Sequence, residues 1–167
     1  MTHDLFKKLK SGTDIRGVAV DGVENEPLDF TDEIVTAIGF GYADWLYENV
    51  KTDEPKITVA VGRDSRISGE RLFTLFTDSL IKSGISIKNL GISSTPAMFM
   101  ACIDNVCDVS VEITASHHPF NKNGFKFFTK LGGLEGSDIE NILEKAAVCS
   151  ENGHSVFDIQ GSIEEYQ

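Results

Sequence analysis

The sequence predicts an α/β domain of three layers, with a mixed, mostly parallel sheet between helices, and three observations carry that reading. Stretches with apolar residues at helical spacing alternate along the chain with short, β-branched apolar runs. Those runs have the length of buried strands, and strands separated by helices normally pair in parallel with helices on both faces. Before Phe125 the link is short and polar, so that strand is expected to return antiparallel to its predecessor.

The elements follow in order. After an opening loop that includes SGTDIRGVA, Thr31 followed by Asp32 and Glu33 starts a helix, and Ile34, Ile38, Trp45 and Leu46 form its apolar stripe. It ends before Pro55. Ile57 to Val61 is a buried strand that stops at Gly62. Ser68 is expected to cap a helix carrying Leu72, Leu75, Phe76, Ser79 and Leu80, and Gly84 to terminate it. Strand patterning resumes at Ile85 and Ile87. Thr95 and Pro96 read as cap and first position of a helix reaching about Ile103. Cys107 to Ile113 is the next strand, a polar loop covers Thr114 to Asn123, and Phe125, Phe127 and Phe128 anchor another strand in the core. A helix from about Ser137 to Val148 closes the domain. Residues 1–150 are read as the domain, and 151–167 as a boundary segment in which Val156, Phe157 and Ile159 have nothing obvious to pack against.

The 167 residues fill about one domain, and 41% hydrophobic with 25% charged residues excludes disordered and collagen-like classes. Twenty-six acids against 15 lysines and arginines leave a net charge of −11, the wrong sign for nucleic acid or an anionic membrane. The first residues are too polar for a signal peptide and no apolar run reaches a membrane span, so a cytoplasmic protein is expected. Cys102, Cys107 and Cys149 have no CxxC spacing and read as reduced, mostly buried thiols.

Chemistry concentrates in one stretch. Between Ile113 and Leu134 lie Lys122, Lys126, Lys130 and two histidines, with no Asp or Glu. Remote acids hardly weaken such an island, because charges are screened over about 8 Å at physiological ionic strength. Ser116 is followed by His117 and His118, and a histidine can exchange protons with a hydroxyl. A serine in a polar turn also caps backbone amides, and spacing leaves both roles open. Neither a nucleophile elbow nor a P-loop is present, which argues against a hydrolase or an ATP site. In GRDSR, the residues Arg63, Asp64 and Arg66 either form a structural ion-pair network, the favoured reading, or line the cleft.

ITASHHPFNKNGFKF resembles the phosphoserine loop of the α-D-phosphohexomutases, the phosphoglucomutase and phosphomannomutase family. SGTDIRGVA, VAVGRDSRISGE and LGISSTP resemble three further segments of the same family, in the same order. The resemblance implies that Ser116 is the phosphorylated serine. It implies His117 and Lys126 as candidates for proton transfer or charge stabilisation, and Arg16, Lys126 and His118 for contact with phosphate or substrate. His118 stands where the family usually has asparagine. For Arg16 the plain alternative is an ion pair with Asp14.

By the same resemblance the reaction interconverts hexose 1-phosphate and hexose 6-phosphate through a hexose 1,6-bisphosphate, with Mg2+ bound partly by the phosphate on Ser116. Family members have four domains, and the resemblance covers the first. The aspartate-rich DGDGDR segment that completes the magnesium site is not found in these residues. The 167-residue chain alone is therefore expected to lack mutase turnover and to need the remaining domains of the same polypeptide. TASH rather than SASH leans away from a glucosamine phosphate mutase. The alternative from another class is a non-catalytic module that binds an anion or sugar phosphate.

Overall fold

A computed structural model describes residues 1–166. It contains α1 (Thr2–Lys7), β1 (Lys10–Ser11), β2 (Asp14–Val18), α2 (Asp32–Asn49), β3 (Thr58–Arg63), α3 (Gly69–Lys82) and β4 (Ser86–Ile92). These are followed by α4 (Thr95–Ile103), β5 (Val109–Ile113), β6 (Lys122–Thr129), β7 (Gly132–Gly133), α5 (Gly136–Asn152) and β8 (Ile163–Glu165). The sheet is mixed, in the order β1-β2-β6-β5-β3-β4-β8, with β7 paired to β6. Strands β5, β3, β4 and β8 run parallel. Strand β6 returns antiparallel to β5, as the short polar link requires, and β2 is antiparallel to β6.

Side-chain alternation sorts the layers. Phe125 and Phe127 of β6 point into the main core, where they meet Phe30, Tyr42 and Phe76 at ring centroid distances of 5.8, 4.7 and 4.8 Å. Val35, Ile38 and Leu46 of α2, Leu72 and Leu80 of α3, and Ile139 and Ile142 of α5 complete that core. Each fully buried aliphatic or phenyl group contributes about 1.5–3 kcal/mol from area removed from water. On the opposite face α4 packs Met98, Ala101 and Cys102 against Ala60, Cys107 and Phe128. The connections dictate this division. The chain passes from β3 through α3 to β4 on one side, then from β4 through α4 to β5 on the other side of β3. Crossovers of one hand then place α3 and α4 on opposite faces, and the carboxyl ends of β3 and β5 lie side by side, the place where open α/β sheets bind ligands.

The structure departs from the local sequence signals at four places: the Ser68 cap, the Thr95 cap, the opening loop and the segment after α5. Thr31 caps α2 as expected, accepting from the Ile34 amide at 3.2 Å. Ser68 stands at the start of α3 but makes no side-chain cap; its hydroxyl accepts from Asn123 Nδ2 at 2.8 Å. The cap of α4 is Ser94, which accepts from the Ala97 amide, so Thr95 is already helical. The opening loop contains strand β2. The segment after α5 also packs: Phe157 stacks on Tyr47 at 5.6 Å, and Ile163 to Glu165 add a parallel strand to β4.

Candidate active site

Strand β5 ends at Ile113, and the chain then makes a turn in which the His118 amide donates to the Ala115 carbonyl at 3.0 Å. Ser116 occupies the left-handed region at φ +56°, unusual for a residue with a Cβ. Two groups hold it there. Its amide donates to Thr114 Oγ1 at 3.0 Å, and Thr114 Oγ1 donates to Asp64 Oδ2 at 2.7 Å. Arg66 then serves four carbonyls of the loop: Nη2 donates to Ser116 O and His118 O, both at 2.8 Å, and Nη1 donates to Pro119 O at 2.7 Å and Lys122 O at 3.1 Å. Its Nε lies 3.3 Å from Asp64 Oδ2. Asp64 and Arg66 thus form the structural network favoured for GRDSR, while Arg63 joins no ion pair among the described residues. Sequence gave no sign that the acceptors would be the serine loop's own carbonyls.

Thr114 does the capping that Ser116 was free to do, and the Ser116 hydroxyl is left exposed, 3.3 Å from His117 Nδ1. The two histidine rings stack at 5.5 Å. His118 is held below the ordinary histidine pKa by desolvation and by the charges of Arg16, His117, Lys122 and Arg66, so near neutrality it is an uncharged ring among cations.

The remaining charges come from β2 and β6. Asp14 stands opposite Lys126 in the ladder and bridges two cations: Oδ2 is 2.9 Å from Arg16 Nη2, and Oδ1 is 3.4 Å from Lys126 Nζ. The ion pair with Asp14 does not confine Arg16 to the surface. Its Nη1 also donates to Ala115 O at 3.3 Å, one residue before Ser116, and its Nε is buried without a partner. Arg16 lies across Gly124, where a Cβ would come within 2.9 Å of Arg16 Cγ. The fold therefore gathers Arg16 and Lys126 around Asp14, puts Arg16 against the serine turn, and places His117 and His118 on the turn itself.

One further acid on this face was not singled out from sequence. Glu112 on β5 is almost fully buried, its Oε2 has no partner, and burial followed by the Asp64 charge pushes its pKa up to about 8. A charged residue inside an otherwise apolar strand was the available signal. A surface depression lies elsewhere, lined by Lys56, Thr58, Ser86 and Cys107 near the amino ends of the strands. The convergent cations are at the serine turn.

The sequence profile of phosphoglucomutase/phosphomannomutase, alpha/beta/alpha domain I, matches residues 7–153. The chain belongs to this phosphohexomutase family. It is 33% identical to a phosphoglucomutase of Neisseria gonorrhoeae over 99% of its length, and 37% identical to a phosphoglucosamine mutase of Leuconostoc citreum (strain KM20) over 83%. The chain spans only 32% and 29% of those two relatives, about a third of a phosphohexomutase. A phosphoglucomutase/phosphomannomutase family protein of Burkholderia thailandensis has the same fold, with a TM-score of 0.73 at 24% identity, covering 96% of this chain and 33% of that one. The relatives include both a phosphoglucomutase and a phosphoglucosamine mutase.

Within the family's domain I, no helix of the described residues is long and apolar enough to cross a membrane. All three cysteines are free and buried, as expected. Asp44, Cys149 and His154 bring three metal-capable groups together between α2 and α5. Their sulfur and imidazole donors do not suit magnesium, which prefers oxygen ligands in octahedral geometry.

Proposed function

We propose that this chain is the phosphoserine domain of a phosphohexomutase that interconverts hexose 1-phosphate and hexose 6-phosphate through a hexose 1,6-bisphosphate. The observation that carries the reading is Ser116 itself: an exposed hydroxyl on a left-handed residue, clamped by Arg66 and Thr114 beside Arg16. Left-handed backbone at a non-glycine residue costs on the order of 1–2 kcal/mol and persists where surrounding structure enforces it, often at functional sites.

In the forward step a hydroxyl oxygen of the bound sugar attacks phosphorus, the bond from phosphorus to Ser116 Oγ breaks, and the hydroxyl proton passes to a base. Lys126 and His117 are the candidates for proton transfer or charge stabilisation in that step. The bisphosphate then reorients and returns its other phosphoryl group to Ser116 Oγ, restoring the starting enzyme. A phosphoserine carries about −1.5 to −2 charge, so a second anionic phosphate approaches only against nearby cations. Arg16 and Lys126 supply them. His118, uncharged near neutrality, is placed to donate or accept one hydrogen bond to substrate rather than to add charge. Such electrostatic positioning is the main source of rate in phosphoryl transfer, and losing one donor costs on the order of 100-fold.

Magnesium fits at Ser116 only in part. A phosphate on Ser116 supplies one oxygen, while the side chains around it are chiefly cationic, so the other ligands come from outside residues 1–167. The ion would neutralise charge on the transferring phosphoryl group. Apolar side chains on the rim support further domains as partners. Ile67, on the loop after β3, is 79% exposed, Ile92, the last residue of β4, 63%, and Phe120, on the loop after β5, 65%. Apolar groups so placed are suited to be covered by protein. The three free, buried thiols support a cytoplasmic setting.

The deciding experiment is intact-mass measurement of the complete polypeptide before and after incubation with a hexose 1,6-bisphosphate. One added phosphoryl group, absent from Ser116→Ala, is expected. Reversible phosphate binding without the adduct would instead favour a non-catalytic anion-binding module.

A further inference from the structure

We infer that Asp44, Cys149 and His154 form a binding site for one zinc-class cation, distinct from the serine turn. The three donors come from separate pieces of chain that the fold brings together. Asp44 lies on α2 and Cys149 on α5, and these two helices pack so closely that a Cβ on Gly41 would fall 2.5 Å from the Ala146 amide nitrogen. Gly153, at φ +76°, then ends α5 and turns the chain back, which places His154 against α2. There its ring stacks on Phe40, one helical turn before Asp44, at a centroid distance of 4.3 Å.

The geometry approaches that of a preformed tetrahedral corner. His154 Nε2 is 2.8 Å from Asp44 Oδ1, Cys149 Sγ is 3.6 Å from Asp44 Oδ2, and all three ligand atoms lie within 4.8 Å of one another. Tetrahedral ligands at about 2.0–2.3 Å from a zinc ion stand roughly 3.3–3.7 Å apart, so small side-chain rotations bring the three donors onto one ion.

A second observation concerns the proton count. Both nitrogens of His154 face oxygens, Nε2 toward Asp44 Oδ1 and Nδ1 toward Ser155 O at 2.8 Å. The Ser155 carbonyl is only an acceptor, so Nδ1 carries hydrogen, and in the neutral ring Nε2 then presents a lone pair to a carboxylate. Only a cation between them, a proton or a metal ion, makes that contact attractive. A backbone carbonyl on Nδ1 is also the usual outer partner of a metal-binding histidine, because it fixes the tautomer. Access exists, since Asp44 opens onto a surface depression with Tyr47, Glu48, Glu144, Val148 and Phe157.

Chemistry selects the ion. One thiolate, one imidazole and one carboxylate suit zinc or cobalt and disfavour magnesium or calcium. Binding forms one bond each to sulfur, nitrogen and oxygen, releases the thiol proton and any second ring proton to solvent, and leaves a fourth position for water. Thiolate and carboxylate balance the two positive charges of the ion.

The test uses the 167-residue chain, reduced and freed of metal by a chelator. Cobalt(II) should develop a thiolate-to-metal charge-transfer band and strong visible bands that saturate at one equivalent, and zinc should bleach them. Cys149→Ser should abolish the charge-transfer band, and His154→Gln should weaken zinc binding by more than about 10-fold, a loss that even outer-partner changes reach. Circular dichroism checks that both variants fold. Absence of the thiolate band in the unaltered chain overturns the site. Persistence of the band in Cys149→Ser also overturns it, because the sulfur would then be Cys102 or Cys107.

Discussion

Arg66 Nη2 donates to the carbonyl oxygen of Ser116 at 2.8 Å, and the same guanidinium holds the carbonyls of His118, Pro119 and Lys122. A side chain from the loop after β3 thus fixes the backbone of the loop after β5. The planar fork of arginine reaches several acceptors at once, which the single ammonium of lysine does not. Arg66→Ala should still fold, with a loss of about 2 kcal/mol in chemical denaturation, within the range for hydrogen bonds to a charged group. The His118 and Lys122 amides, which close turns onto Ala115 and Pro119, should exchange with solvent much faster. Arg66→Lys should restore little of this. Unchanged exchange in Arg66→Ala would show that the turn holds its own shape.

Ser116 separates chemistry from stability. Its hydroxyl is exposed and touches only His117, whereas its backbone sits in a strained region. Ser116→Ala should therefore unfold within about 0.5 kcal/mol of the parent, as surface substitutions usually do. Ser116→Gly should be more stable than Ser116→Ala by about 1 kcal/mol, because glycine adopts positive φ without a Cβ penalty. Equal denaturation midpoints for the two variants would mean that the turn relaxes.

How far the sequence revealed this site depends on what each residue contacts. Strands β3 to β6 and helices α2 to α5 announced themselves through apolar periodicity, because each buries a face in one of the two cores. Strand β2 did not, since Asp14 and Arg16 occupy its second face and make it look like a polar loop; that face is where the site is built. Strand β8 has three exposed residues at the sheet edge and carries no alternation to read. The roles of Arg66 and Glu112 depend on loops and strands distant in sequence, which no local pattern encodes.

Glu112 gives a pH dependence with a definite sign. Its folded pKa, raised to about 8 by burial and by Asp64, exceeds that of the unfolded chain at about 4.3. Between those values the folded state holds the proton that the unfolded state has released, so stability falls as pH rises through that window and levels off above it. The loss should amount to a few kcal/mol. Glu112→Gln, which mimics the neutral acid, should flatten the slope and be the more stable protein at pH 8.5 but not at pH 4.5. Denaturant titrations of both proteins at the two pH values test this; parallel curves would remove Glu112 as their source.

Gly124 is the position where the sheet and the site depend on one missing side chain. It stands opposite Arg16 in the β2–β6 ladder, and a Cβ there would lie 2.2 Å from the Ile15 carbonyl oxygen and 2.9 Å from Arg16 Cγ. The first contact is with backbone, so relief requires β2 to move away from β6. The second displaces the guanidinium that reaches Ala115 O. Gly124→Ala should cost about 3 kcal/mol, at the upper end of ordinary overpacking, and weaken phosphoryl transfer to Ser116 in the complete polypeptide. Arg16→Ala separates the two effects. It removes the guanidinium without the backbone clash, so it should reduce the transfer rate on the order of 100-fold while lowering stability by less than Gly124→Ala does. A Gly124→Ala protein with normal stability and a normal rate of phosphoserine formation would show that neither the ladder nor Arg16 needs the space that glycine leaves.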